Sequence, residues 1–185
     1  MQFDLTQFLT TEVFAYLLVF CRMGSTFVSL PGIGDAFVPV LIRLLFAGAL
    51  TFLLTPIIKP TLPSLPADPY TTSLLIGAEV IYGLFLGLMA RFVIATVHTA
   101  GMVIATNTGL ASAMLFDPNQ GSQGTALGNL LGIVAITVIY STDLHYQFFI
   151  AAMKSYEIMA PGNFLPIADM GKFFVQLASK SFMVA

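Results

Sequence analysis

Three charged residues lie deep inside apolar stretches of this sequence: Arg22, Arg43 and Glu79. Charged side chains are rare in such stretches, and they mark either an ion pair or a site that moves ions or protons. A buried carboxylate has to be paired with a cation or protonated, because an isolated buried charge is too costly. The sequence therefore predicts that Glu79 pairs with Arg22 or Arg43. A proton-carrying Glu79 is the alternative.

Motifs of enzymatic chemistry are missing from the sequence. There is no phosphate-binding glycine loop, no nucleophile elbow and no zinc-protease motif. The two histidines, His98 and His145, are far apart and have no cysteine or carboxylate at metal-ligand spacing. Cys21 is the single cysteine, so no disulfide forms within the chain. We therefore expect no enzyme activity, no metal and no cofactor.

Composition places the chain in a membrane. Of 185 residues, 57% are hydrophobic and 9% charged, and the mean hydropathy is +0.91. Soluble domains carry roughly 25% charged residues. A formal net charge of −2 gives no sign of a nucleic-acid partner. The expected fold is all-α: a single integral membrane domain, 1–185, of helical hairpins with about six to seven apolar helices, several of them kinked or broken.

Proline, glycine and charge set the expected helix boundaries. Pro31 and Pro39 separate the first two segments, five prolines between Pro56 and Pro69 predict an extended connector, and Arg91 marks a boundary before the fourth segment. The last segment ends without a cap or polar tail, so we expect a truncated copy of a longer protein. The segments are 13–30, 40–58, 71–90, the helix that opens the stretch 98–123, 124–140, 146–160 and one that starts near 169.

Small residues recur at helical spacing in three places, which predicts close helix packing. The first ladder shares its face with Glu79, and the second shares its face with His98. The two ladders that flank the polar loop after the fourth segment predict a packed hairpin. The three ladders are Gly83 with Gly87, Gly101 with Ala105 and Gly109, and Gly124 with Gly128 and Gly132.

The stretch 98–123 ends in a group of large apolar side chains. Met114, Leu115 and Phe116 precede Asp117 and Pro118, a pair that favours a turn and the end of a helix. Two interpretations fit this pattern. The apolar group is either a plug or contact lip at the edge of a polar loop, or a helix end buried by ordinary packing.

The sequence resembles the FliR family of flagellar biosynthetic proteins and its type III secretion counterparts. The first residues that carry the resemblance are Arg22 followed by two prolines, Arg43 in LIRLLFAGAL, and Glu79 in EVIYGLFLG. The most specific is TAGMVIATNTGLASAMLFDP at 99–118. One departure is STDLH at 141–145, where the family commonly has an asparagine or glycine, then a glycine, then a histidine; His145 is present but the glycine turn is not. The family's final hairpin, similar to FliQ, is missing.

The resemblance implies a subunit of the type III export gate in the bacterial inner membrane, at the flagellar basal body. Its implied partners are FliP and FliQ homologues, an FlhB-like export-gate protein and the unfolded proteins that pass through the gate. It also implies that the loop at Met114, Leu115, Phe116, Asp117 and Pro118 projects into the lumen as part of a plug. Two other classes stay open: a proton-coupled secondary transporter that uses Glu79, and a purely structural membrane scaffold.

Overall fold

The computed structural model describes residues 5–109, 126–162, 171–172, 175–176 and 179 of the chain. These residues contain helices and no strand, which confirms the all-α prediction for the described part, whereas the expected six to seven helices are not confirmed there. The elements are α1 (Leu5–Ser29), α2 (Val40–Ile58), a 3₁₀ helix (Lys59–Thr61), α3 (Pro69–Asn107), α4 (Ala126–Ser141) and α5 (His145–Ile158).

Three of the described helices are long and apolar enough to cross a membrane. They cover Leu9–Ser29, Val40–Thr61 and Pro69–Asn107, and α4 with α5 adds a fourth if this broken pair counts as one span. A bilayer core of about 30 Å needs roughly 20 helical residues. The helices therefore fit the integral membrane class that the composition predicts.

Two prolines of the described residues stand at helix starts, Pro39 as the N-cap of α2 and Pro69 at the first position of α3. Pro69 is the first residue of α3, where its missing N–H is not needed. The carboxylate of Asp68 caps that helix, accepting hydrogen bonds from the backbone N–H of Thr71 at 3.2 Å and its hydroxyl at 3.1 Å. The prediction that Pro56 to Pro69 exclude a helix is wrong at Pro56, which lies inside α2. A proline in the last turn removes one hydrogen bond, and the helix tolerates that loss.

α3 is one continuous helix of 39 residues. The predicted boundary at Arg91 is wrong, because no proline or turn residue follows it and an arginine with its long aliphatic stem is a good helix former. The third and fourth predicted segments are therefore a single element. One helix carries both the Glu79 face and the His98 face.

Two compact units make up the chain, and each has its own packing. The first consists of Met1–Leu88 and Phe148–Ile167, and the second of Met89–Gln147 and Ala168–Ala185. In the first unit, α1, α2 and α5 together form a buried apolar cluster, which also includes Leu30 just beyond the end of α1. Its members are Val19, Met23, Phe27, Leu30, Ala47, Leu54, Ile58, Ala152 and Tyr156.

The turn between α4 and α5 contains an aspartate in an unusual backbone conformation. Asp143 has a φ of 59°, in the left-handed region that glycine, asparagine and aspartate adopt most readily. Its carbonyl accepts a hydrogen bond from the N–H of Tyr146 at 3.0 Å, in the first turn of α5. Asp143 therefore supplies the left-handed backbone conformation of this turn without a glycine.

Asp143→Gly is expected to leave stability nearly unchanged, whereas Asp143→Val is expected to cost about 1–2 kcal/mol, because a β-branched side chain is strained at positive φ. Thermal unfolding in detergent of the two variants and the unmodified protein measures the difference. Equal midpoints for the glycine and valine variants would contradict the assigned backbone conformation.

Candidate functional site

The centre of the first unit is an ion pair between α1 and α3. Arg22 donates from Nε to Oε2 of Glu79 at 2.6 Å and from Nη2 to Oε1 at 2.9 Å. The two side chains are 0% and 1% exposed, so the pair is fully out of contact with solvent. Of the two arginines that the sequence offered as partners, the structure pairs Glu79 with Arg22.

α5 completes the shell around the guanidinium of Arg22. Nη1 donates to the hydroxyl of Ser155 at 3.2 Å, and Nη2 donates to the carbonyl of Met159 at 2.9 Å. The rings of Tyr82 and Tyr156 lie 5.1 Å and 4.0 Å from the guanidinium carbon. The cation is thus bound by three helices or helix ends and flanked by two aromatic rings.

This shell explains how the charge is tolerated. An arginine has five N–H donors. Four of them donate hydrogen bonds to Glu79, Ser155 and Met159, and one N–H of Nη1 remains. Bidentate pairing with a carboxylate is among the stronger hydrogen-bonded arrangements in proteins. The group therefore fixes the position of three elements.

Glycines let α1 and α3 approach closely enough for this pair to form. A Cβ on Gly83 would collide with the Ser25 hydroxyl and the Arg22 carbonyl oxygen. A Cβ on Gly87 would lie 2.7 Å from the carbonyl of Thr26, closer than real Cβ contacts. The face of α3 that carries Glu79 therefore packs directly on the backbone of α1.

A second close contact joins α3 to α4 within the second unit. A Cβ on Gly101 would lie 2.6 Å from the Cα of Gly128, and one on Gly132 would overlap the ring of His98. Ala105, one turn beyond Gly101, is 1% exposed. The His98 ring therefore packs against Gly132, and we assign His98 a packing role.

Gly109 is described but does not take part in this packing, and two other predicted features lie outside the described residues. Gly109 lies beyond the end of α3 with a φ of 75°, and a Cβ there would meet nothing within 4 Å, so it terminates the helix and does not pack it. Gly124 lies outside the described residues. So do the five proposed plug residues, Met114, Leu115, Phe116, Asp117 and Pro118.

Arg43 has a role unlike that of Arg22. Its Nη2 donates to the carbonyl of Val38 at 2.7 Å and also to that of Asp35, so it holds the turn between α1 and α2. Inside that turn, the Asp35 carboxylate accepts from the N–H of Gly32 at 2.8 Å. Arg43 is half-buried and has no carboxylate partner among the described residues.

Metal and catalytic chemistry find no support in the described residues. No group of three or more histidine, cysteine, aspartate or glutamate side chains within the described ranges could hold a metal ion. Sequence reasoning missed Ser155, the Met159 carbonyl and the two tyrosines that surround Arg22. A serine and a tyrosine adjacent in an apolar helix, at 155 and 156, were the signal that could have identified α5 as a partner.

Comparison with known proteins connects this architecture with protein export. A family model described as bacterial export proteins, family 1, matches residues 13–185. Over 171 residues the chain is 34% identical to the flagellar biosynthetic protein FliR of Caulobacter vibrioides, covering 92% of this chain and 68% of that protein. Over 169 residues it is 33% identical to FliR of Bacillus subtilis, covering 91% and 64%.

A third similar protein comes from a secretion system. The chain is 30% identical over 152 residues to the Yop proteins translocation protein T of Yersinia pestis, covering 82% of this chain and 58% of that protein. The chain thus spans between 58% and 68% of the lengths of these three relatives.

Proposed function

We propose that this chain, which belongs to family 1 of the bacterial export proteins and resembles FliR along most of its length, is a core subunit of the type III protein export gate. In this proposal it lies in the bacterial inner membrane and assembles with FliP and FliQ homologues and an FlhB-like protein. Unfolded substrates pass through the gate. The observation that carries the proposal is the family match over 13–185.

The geometry of the first unit supports a structural part in such an assembly. The Arg22–Glu79 pair uses its hydrogen-bonding capacity to hold α1, α3 and the end of α5 together. Large apolar side chains remain exposed along α2, among them Leu41, Phe52 and Leu53 at 64–73%. A helical unit that exposes large apolar side chains suits a subunit that lies among lipids and other membrane subunits.

The transporter alternative loses support from the same pair. A proton-carrying glutamate has to exchange its proton with water or another acid–base group. Glu79 is 1% exposed and accepts two hydrogen bonds from an arginine, so releasing it for protonation would leave a buried cation unpaired. We therefore treat Glu79, Arg22 and Arg43 as structural residues of the gate.

Mass spectrometry of the complex that co-purifies with the full-length protein in mild detergent tests the function. Recovery of FliP-like and FliQ-like subunits is the expected result. Recovery of a lone protein or a homo-oligomer would overturn the proposal and return Glu79 to consideration as a transport residue.

We further propose that Met114, Leu115 and Phe116, with the turn at Asp117 and Pro118, form the plug. Flexible apolar side chains can seal against ions and still separate for a passing chain. Replacing Met114, Leu115 and Phe116 together with alanine is expected to raise the ion conductance of the membrane while the complex still assembles. Conductance of the cells measures the leak.

A triple alanine variant of Leu41, Ile42 and Leu45, three exposed apolar residues at the start of α2, is the matched control for the plug experiment. It removes a similar amount of apolar side chain from another surface. Unchanged conductance in the Met114–Phe116 variant, or an equal leak in the control, would count against the plug.

A further inference from the structure

A cavity lies between α1 and α2 in the first unit. Its volume is about 170 Å³, and its lining consists of Gly24, Val28, Val40, Arg43, Leu44 and Ala47. Five of these six residues offer only apolar groups. Water inside a cavity requires two to four polar partners, so a space of this character suits hydrocarbon better than it suits water.

Arg43 places a positive charge at this cavity. Both of its hydrogen bonds to described residues come from Nη2, its Nε is buried without an acceptor among them, and Nη1 makes no hydrogen bond to them. The guanidinium is therefore fixed in position by the turn carbonyls and keeps donor capacity for another ligand. Arginine is well matched to phosphate oxygens, because its planar fork donates two parallel hydrogen bonds.

The position of Arg43 along α2 points to the membrane interface. It is the fourth residue of a helix that is apolar enough to span a bilayer, so it lies only about 4.5 Å along the axis from the first residue. Phe37, in the turn just before the helix, is 74% exposed. Aromatic and arginine side chains are both favoured where headgroups meet hydrocarbon.

An anionic phospholipid could provide both an acceptor for the Arg43 guanidinium and an apolar group for the cavity. Its phosphate would bind the guanidinium, and one acyl chain would fill the cavity. Leu41 and Leu45, which are near Arg43 in α2, are 67% and 65% exposed, as expected for side chains that face lipid. We propose that the α1–α2 cavity binds one acyl chain of an anionic phospholipid whose phosphate is held by Arg43. The proposal is independent of the export function.

Gly24 allows the cavity to be filled without touching Arg43. A Cβ on Gly24 would meet nothing within 4 Å, and the same holds for Gly77 on the exposed side of α3. In Gly24→Leu, the new side chain should therefore fill the part of the cavity that the acyl chain would occupy. Gly77→Leu adds the same side chain away from the cavity and is the matched control. Because Arg43 also holds the turn, Arg43→Gln serves as a second variant.

The test is native mass spectrometry of the detergent-solubilised protein, titrated with dioleoylphosphatidylglycerol or dioleoylphosphatidylcholine. The unmodified protein and Gly77→Leu are expected to prefer the glycerol lipid. Gly24→Leu is expected to bind it roughly tenfold more weakly, the factor for losing burial of about two methylene groups. Arg43→Gln is expected to bind both lipids equally.

Three outcomes would overturn the proposal. The first is equal binding of the two lipids by the unmodified protein. The second is displacement of the lipid by inorganic phosphate at equal concentration, because the anion alone would then be recognised. The third is loss of a protein subunit from the Gly24→Leu complex with lipid binding unchanged, because the cavity would then receive a protein side chain.

Discussion

Glu79→Ala is expected to lower the stability of the folded helical unit by about 3–5 kcal/mol, the cost of removing one partner from a buried ion pair. The variant leaves the Arg22 guanidinium buried with only the Ser155 hydroxyl and the Met159 carbonyl as hydrogen-bond acceptors. Neither of these groups neutralises its charge. Unfolding in mixed micelles, followed by circular dichroism, measures the loss, and steady-state amount in the membrane provides a second readout.

Two controls separate this effect from the general cost of losing a charge. Glu12→Ala breaks an ion pair with Lys59, whose side chain is 44% exposed, and exposed pairs contribute about 0–1 kcal/mol. The double replacement of Arg22 and Glu79 with leucine removes both buried charges and is expected to cost less than Glu79→Ala alone. A Glu79→Ala variant as stable as Glu12→Ala would contradict the assigned pairing.

Gly83→Ala is the second large effect, because the added methyl group would meet backbone as well as side chain. The Arg22 carbonyl oxygen and the Ser25 hydroxyl occupy that space. Forcing α1 and α3 apart also stretches the ion pair between them. We expect a loss of about 1–3 kcal/mol from overpacking, measured by the same unfolding experiment.

Gly77→Ala on the same helix is the matched control, and the expected sign is opposite. Its added methyl group meets nothing within 4 Å, so the variant should gain up to about 1 kcal/mol from the higher helix propensity of alanine. Stabilisation of both variants would show that α1 and α3 do not approach each other as closely as the structure places them.

Sequence alone could predict the parts of this fold that depend on local pattern. Composition predicts an apolar helical chain, and Pro39 predicts the start of α2. The spacing of Glu79, Gly83 and Gly87 predicts one shared face, because residues four apart lie on the same side of a helix. These inferences need no knowledge of which helix lies opposite.

Local pattern could not predict which distant residues pair with each other. Arg22 and Arg43 look equivalent as partners for Glu79, since both are arginines in apolar segments. The choice depends on α5, which is 133 residues away from Arg22 at Ser155 and which no local pattern connects with α1. The boundary predicted at Arg91 failed for a different, local reason: charge alone does not end a helix, and no proline or turn residue follows Arg91.

The partners of Arg22 are synthesised long after Arg22 itself, and this order affects membrane insertion. Glu79 follows Arg22 by 57 residues and Ser155 follows it by 133. At about 5–20 residues per second, Arg22 is synthesised roughly 3–11 s before the carboxylate that neutralises it. During that interval an arginine in the middle of a span costs about 2.5–3.5 kcal/mol. Arg22 therefore has to be kept out of the lipid, either by the insertion machinery or by leaving α1 at the bilayer surface, until α3 is inserted.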